Sequence, residues 1–152
     1  MKITFVCHGN ICRSPMAEFY LKSIAPNIEV NSRATHTDEL GNDMYYAAKE
    51  KLKRENIPFT KHKATLLSLT DYDDTDYFLV MDTPNFTNTM IRLDGDPKNK
   101  VFRLLEFAGL DRDVPDPWYT GKFDETFNDI KLGVVAFLKK STTRAINKRR
   151  TI

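Results

Sequence analysis

The chain has 152 residues, 41% of them hydrophobic and 29% charged, with a formal net charge of +2. That length suits one domain, spanning 1–152, that buries most of its apolar surface without staples, and the near-neutral balance carries no general signal for nucleic acid. No apolar run approaches a membrane span, Met1-Lys2-Ile3-Thr4 leads directly into a strand pattern rather than a secretory signal, and two cysteines five positions apart cannot staple a fold, so a cytoplasmic protein is expected.

The first strong pattern runs from Ile3 to Pro15. It begins as an apolar, β-branched and aromatic run, as in a buried strand. It breaks at Gly9-Asn10, residues that tolerate unusual backbone angles, and resumes at Ser14-Pro15, where a hydroxyl able to cap free amides precedes a proline suited to a first helical turn. Cys7 thus falls at a strand end and Arg13 at a helix start. Met16, Phe19, Tyr20 and Ile24 recur at helical spacing up to Pro26. Ile28 to Asn31 predicts a short strand, and Ser32 to Asn42 a polar loop. Asp43 is expected to cap a helix through Met44, Ala47, Ala48 and Leu52 that ends before Pro58. Ala64 to Leu69 predicts a short helical turn, and Tyr77 to Met81 a second buried strand after an acidic stretch. Asp82-Thr83-Pro84 opens a helix from about Asn85 to Leu93. Val101 to Leu105 predicts another strand, Gly109 to Trp118 a long loop, and Lys122 to about Lys140 a final helix with Phe123, Phe127, Ile130, Val134, Phe137 and Leu138 on its apolar face. Strands alternating with helices predict an α/β three-layer sandwich, a central four-stranded parallel sheet with helices on both faces. Ligands in such folds bind beyond the carboxyl ends of strands, where Cys7, Asp82 and the loop after Leu105 should converge.

A loop placed between a strand and a helix start has several backbone N–H groups free to bind an anion. Those amides, the helix dipole and the Arg13 guanidinium each stabilise a thiolate at Cys7, and the same groups suit a tetrahedral oxyanion. A nucleophile inside an anion cradle points to attack on phosphorus through a covalent cysteinyl-phosphate. The other reading of Cys7 is a small buried hydrophobe, as free cysteines usually are. Transfer from an ester also needs an acid for the leaving oxygen, and Asp116 in Val-Pro-Asp-Pro-Trp-Tyr is the candidate, although Asp-Pro is also a common turn signal.

These residues resemble the low-molecular-weight protein tyrosine phosphatases over nearly the whole chain. Val6-Cys7-His8-Gly9-Asn10-Ile11-Cys12-Arg13-Ser14-Pro15-Met16-Ala17-Glu18 is similar to that family's phosphate loop, and Val114-Pro115-Asp116-Pro117-Trp118-Tyr119 to its general-acid loop. The resemblance implies a metal-free, cofactor-free protein tyrosine phosphatase acting as a monomer on phosphotyrosine proteins or small aryl phosphates, with phosphate and other oxyanions as ligands. It implies Cys7 as nucleophile, Arg13 as phosphate clamp and Asp116 as acid and then base. His8, Gly9, Asn10, Ile11, Cys12 and Ser14 form the loop around the phosphate, with Ser14 bonded to the Cys7 thiolate. Asn10 is implied to hold the loop in shape, linked to Ser32 and His62, while Asp82 supports the site from beneath. Ile11, Trp118 and Tyr119 line the slot for the aromatic ring. Cys12 is implied to be a resolving thiol that bridges to Cys7 after oxidation by peroxide; packing of the loop is its other reading.

The chain departs from the family pattern at three places. His8 stands where an apolar residue is usual and is expected to alter the charge near the thiolate. Asp38 stands near a position often aromatic on the pocket rim, followed by Glu39, and Ala34 replaces a frequent glycine. Alternative functions are an arsenate reductase, disfavoured because no cysteine follows Cys12, and a protein-arginine phosphatase, which carries threonine at the position of Ile11. A non-catalytic phosphate-binding or nucleic-acid module would draw on the basic tail Lys139, Lys140, Arg144, Lys148, Arg149 and Arg150, which otherwise reads as a solvated helix end.

Overall fold

The computed structural model describes residues 1–150, with side chains to residue 141. The run Ile3 to Cys7 forms the first strand, β1 (Lys2–Cys7), and its side chains alternate between two cores: Ile3, Phe5 and Cys7 face one side, Val6 the other. Thr4 is also buried, its hydroxyl donating to Asn31 Oδ1 at 2.6 Å and lying 3.0 Å from that of Thr75. α1 (Arg13–Ile24) follows, then β2 (Glu29–Ala34), α2 (Tyr46–Arg54), α3 (Thr70–Asp74), β3 (Tyr77–Val80), α4 (Thr83–Arg92) and β4 (Val101–Arg103). A 3-10 turn at Leu104–Ala108, the short α5 (Pro117–Thr120) and α6 (Phe123–Arg150) complete the chain. The four strands are parallel in the order β2-β1-β3-β4. α1 and α6 cover the face with Phe5, Leu79, Phe127 and Phe137, and α3 and α4 the face with Val6, Phe78, Val80 and Val101. This is the α/β sandwich with a four-stranded parallel sheet expected from the alternation of elements.

Four local expectations are corrected. β2 runs on to Ala34, through residues read as a polar loop, because each polar side chain finds a partner: Ser32 Oγ donates to Glu18 Oε1 at 2.6 Å and Arg33 pairs with Asp71 at 3.4 Å. Asp43 does not cap α2, which begins at Tyr46; its carboxylate accepts from Met44 N, His62 N and Lys49 Nζ at 2.7, 2.9 and 2.6 Å. The Lys49 bond, with the two amides, holds that carboxyl down to about 2. Ala64 to Leu69 is extended rather than helical, since Thr65 O and Leu67 N exchange bonds with Ala34 and extend the sheet edge by one bridge. β4 stops at Arg103, where Glu106 Oε1 accepts the Arg103 N–H at 2.8 Å and turns the chain into the 3-10 segment. The final helix extends past Lys140, and the side chains of Arg144, Lys148, Arg149 and Arg150 lie outside the described residues.

The 3-10 turn presses against α6 at Gly133, where a Cβ would stand 2.4 Å from Leu104 Cγ. Only a glycine allows that approach, and it fixes how deeply α6 sits on the sheet.

Candidate active site

β1 ends at Cys7, and the loop from His8 to Cys12 carries the chain into α1. The two residues after β2 steady the start of this loop: Thr35 N and His36 N donate to the carbonyls of Cys7 and His8 at 3.0 and 3.1 Å. Asn10 sits in the left-handed region, with φ of 61°, which asparagine tolerates better than most residues. Its buried side chain closes the loop from inside. Asn10 Nδ2 donates to Ser14 Oγ at 2.8 Å, Thr65 N donates to Asn10 Oδ1 at 3.0 Å, and His62 Nε2 donates to the Asn10 carbonyl at 2.7 Å.

Ser14 therefore does not cap α1. Its hydroxyl, already accepting from Asn10, lies 3.0 Å from Cys7 Sγ with its own hydrogen free for the sulfur, and Ser14 N points at the same atom from 3.5 Å. Set inside the first turn of α1, a hydroxyl of the kind that starts helices is turned to the Cys7 sulfur instead. Ser32, expected beside Asn10, instead donates to Glu18 of α1. It steadies the helix behind the loop rather than Asn10 itself.

Arg13 opens α1 with its side chain 2% exposed. Nη1 donates to Asp82 Oδ2 at 2.8 Å and to the Val114 carbonyl at 2.9 Å, while Nη2 reaches Asp116 Oδ2 at 3.4 Å. Burial works against the guanidinium charge, but Cys7, Asp82 and Asp116 outweigh it and hold the pKa above its ordinary value. Asp82 has two tasks, since its Oδ1 caps α4 by accepting from Asn85 N at 2.7 Å. Asp116 likewise caps α5, its Oδ1 accepting from Trp118 N at 3.0 Å, which leaves Oδ2 for the site.

Cys7, Ile11, Cys12, Arg13 and Asp116 line a cavity of about 120 Å³. Trp118 and Tyr119, both exposed, form one wall, and His8, Gly9, Asp38 and Glu39 the other. The side chains of Asn10 and Ser14 are fully buried and act on the shape of the loop. His8 turns to the rim rather than to the thiolate: its Nε2 donates to Asp38 Oδ2 at 2.8 Å and its ring stacks on His36 at 3.9 Å. That bond holds the Asp38 carboxyl below its usual range, while burial and then His8 lower the His36 imidazole. Cys12, deep in the same cavity, has its thiol pushed up, first by burial and then by the Cys7 and Asp116 charges. Tyr45 is a further member of the site. Its N–H donates to the Ile11 carbonyl at 2.9 Å and its ring meets Trp118 edge-on at 5.0 Å, so it joins the loop to the aromatic wall. The paired aromatics Tyr45-Tyr46 ahead of a helix were the available signal. Among the described residues no group of three or more His, Cys, Asp or Glu is placed to hold a metal ion, and no helix is long and apolar enough to cross a membrane.

The family described as low molecular weight phosphotyrosine protein phosphatase matches residues 2–150. The chain belongs to the low-molecular-weight protein tyrosine phosphatases. It is 37% identical over 132 residues to the low molecular weight protein-tyrosine-phosphatase PtpA of Staphylococcus aureus, which covers 83% of this chain and 84% of the relative. The crystal structure of YfkJ from Bacillus subtilis superposes with a TM-score of 0.89 at 34% identity, over 95% of this chain and 96% of that one. SP-PTP of Streptococcus pyogenes, a low-molecular-weight protein tyrosine phosphatase, gives 0.84 at 36% identity, over 91% of both chains. This low-molecular-weight phosphatase is thus a phosphotyrosine-hydrolysing enzyme, with Cys7 and Arg13 in its phosphate-loop region.

Proposed function

We propose that Cys7, Arg13 and Asp116 carry out phosphotyrosine hydrolysis in two steps. The observation that supports this most is their convergence on one small cavity, with Ser14 Oγ 3.0 Å from Cys7 Sγ and Asp116 Oδ2 3.4 Å from Arg13 Nη2. The Cys7 thiolate attacks phosphorus, the P–O bond to the tyrosyl oxygen breaks, and that oxygen takes a proton from the Asp116 carboxyl. In the second step the Asp116 carboxylate takes a proton from water, whose oxygen attacks phosphorus. The P–S bond breaks, releasing phosphate and restoring the thiolate. Arg13 and the amides of the loop from His8 to Cys12, including Gly9, hold the phosphoryl oxygens as negative charge moves across them. Ile11, Trp118 and Tyr119 clasp the aromatic ring, while Asp82, Ser32 and His62 keep Arg13, α1 and the loop in place.

The test is a panel of peptides matched in sequence and carrying phosphotyrosine, phosphoserine or phosphoarginine. Phosphotyrosine hydrolysis should lead by at least about a hundredfold in kcat/KM, because the aromatic walls have little to grip on the other two. A faster phosphoarginine reaction would transfer the function to the arginine-phosphatase reading. Phosphate binding with no hydrolysis of any peptide would favour the non-catalytic one.

We also propose a cytoplasmic monomer acting on protein phosphotyrosine or small aryl phosphates, since two cysteines five positions apart cannot staple the fold. The proposal includes redox control. Peroxide would convert the Cys7 thiolate to a sulfenic acid, and the Cys12 thiol would displace water from it to form a disulfide, which a thiol later reduces. Cys12→Ser should then leave a much smaller fraction of activity recoverable by dithiothreitol after peroxide. Equal recovery in the two proteins would remove the protective role.

A further inference from the structure

We infer that Thr126, in the first turn of α6, is a positioning residue for Asp116, acting through the carbonyl of Pro115. The inference rests on the reading of Asp116 as the proton donor. Thr126 is fully buried beside Phe127 and Ile130, on a helix face otherwise given to hydrocarbon. A threonine inside a helix ordinarily returns its hydroxyl to a carbonyl one turn back. Here the backbone N–H keeps its ordinary helical bond to Lys122 O at 3.2 Å, but Oγ1 leaves the helix and donates to Pro115 O at 2.9 Å.

Pro115 O lies in the peptide plane that joins Pro115 to Asp116, so its direction sets where the Asp116 side chain leaves the backbone. The two flanking prolines leave that plane few other freedoms. Asp116 has φ of −85° and ψ of 111°, the extended region favoured before a proline. At the far end Trp118 N holds Oδ1, so rotation of the Pro115–Asp116 plane is what remains to aim Oδ2 at the cavity. Other anchors fix the path of the loop: Arg112 pairs with Asp129 at 2.7 and 2.8 Å, and Val114 N donates to Met81 O at 2.9 Å. Neither bonds the peptide directly before Asp116. Thr126 does.

The experiment compares Thr126→Val, which keeps the shape and loses the hydroxyl, with Thr126→Ser, which keeps the hydroxyl. Each is read by kcat/KM on phenyl phosphate and on p-nitrophenyl phosphate, whose leaving groups differ in their need for a proton. Thr126→Val should lose about tenfold on phenyl phosphate and less than about threefold on p-nitrophenyl phosphate, since misdirected proton transfer penalises the poor leaving group. Inhibition by inorganic phosphate should stay within about twofold, because the phosphate cradle is untouched. Thr126→Ser should remain within about threefold of the wild type on both esters. In an Asp116→Asn background, Thr126→Val should add no further selectivity. An equal loss on both esters, or a serine variant no better than the valine one, would overturn the positioning role. Thr126→Ala is read in parallel, so a valine variant that folds poorly still leaves the same comparison. An Asp116→Asn enzyme without leaving-group dependence would overturn the proton-donor reading itself. Dependence in Asp116→Asn but not in Thr126→Val would overturn the role of Thr126 alone.

Discussion

Cys7→Ser is expected to lower turnover of p-nitrophenyl phosphate by at least about 10⁴-fold while leaving phosphate binding in place, because a serine hydroxyl ionises far less readily than a thiol and lacks its polarisability. The surroundings of Cys7 are arranged for a negatively charged sulfur. Ser14 Oγ stands 3.0 Å away and Ser14 N 3.5 Å away, and Arg13 is buried beside them. None of these groups is a base that could draw the proton from a serine. The substitution is small and the site is 3% exposed, so the loop should keep its shape. Titration with inorganic phosphate, followed by thermal stabilisation, checks the fold and the cradle; steady-state turnover checks the chemistry. Residual turnover within about tenfold of the wild type would mean that phosphorus is attacked by something other than Cys7.

Arg13→Lys is expected to reduce kcat/KM by about 10²- to 10³-fold, some 3–4 kcal/mol of transition-state stabilisation, although the charge is conserved. The guanidinium does several things at once that an ammonium cannot. Nη1 is shared between Asp82 Oδ2 and the Val114 carbonyl, and Nη2 turns towards the cavity. A lysine reaching the phosphate would abandon Asp82 and Val114, and one that stayed with them would leave the phosphoryl oxygens without their planar fork. A fall in the thermal midpoint should accompany the kinetic loss, since the Val114 carbonyl loses its partner. A loss of kcat/KM under about tenfold would assign Arg13 to the fold rather than to the phosphate.

The residues that touch the cavity were the most legible in the sequence, because their chemistry is dictated by type and short-range spacing. Cys7, Ile11, Cys12 and Arg13 lie within one strand-loop-helix passage, and Asp116 is marked by two prolines and two aromatics. Partners chosen by tertiary contact were harder to read. His62 reaches the loop through the Asn10 backbone carbonyl, an acceptor that every residue possesses, so no side-chain pattern announces it. Ser32 donates to Glu18 across the β2–α1 contact instead of supporting Asn10, a choice set by tertiary packing. Asp43 and Ser14 both resemble helix caps in sequence, yet in the fold each finds stronger partners elsewhere. Ala64 to Leu69 has the composition of a helical turn, and the open hydrogen-bonding edge at Ala34 draws it into an extended path instead. Tyr45 is signalled only by its pairing with Tyr46, because it acts through a backbone bond to Ile11 and an edge contact with Trp118.

The strand order β2-β1-β3-β4 places the earliest strand at the centre of the sheet, and this sets when the site can be complete during synthesis. Cys7 leaves the ribosome long before β3, which pairs with Ile3 to Val6 through residues 77 to 80. Asp82, Val114 and Asp116, which fix Arg13 beside the sulfur, come later still. Until those distant segments close, which is the slow part of folding a parallel sheet, the cysteine of a nascent chain lacks the groups that surround it in the finished fold. The cavity around Cys7 is therefore complete only once segments far along the chain have joined the sheet.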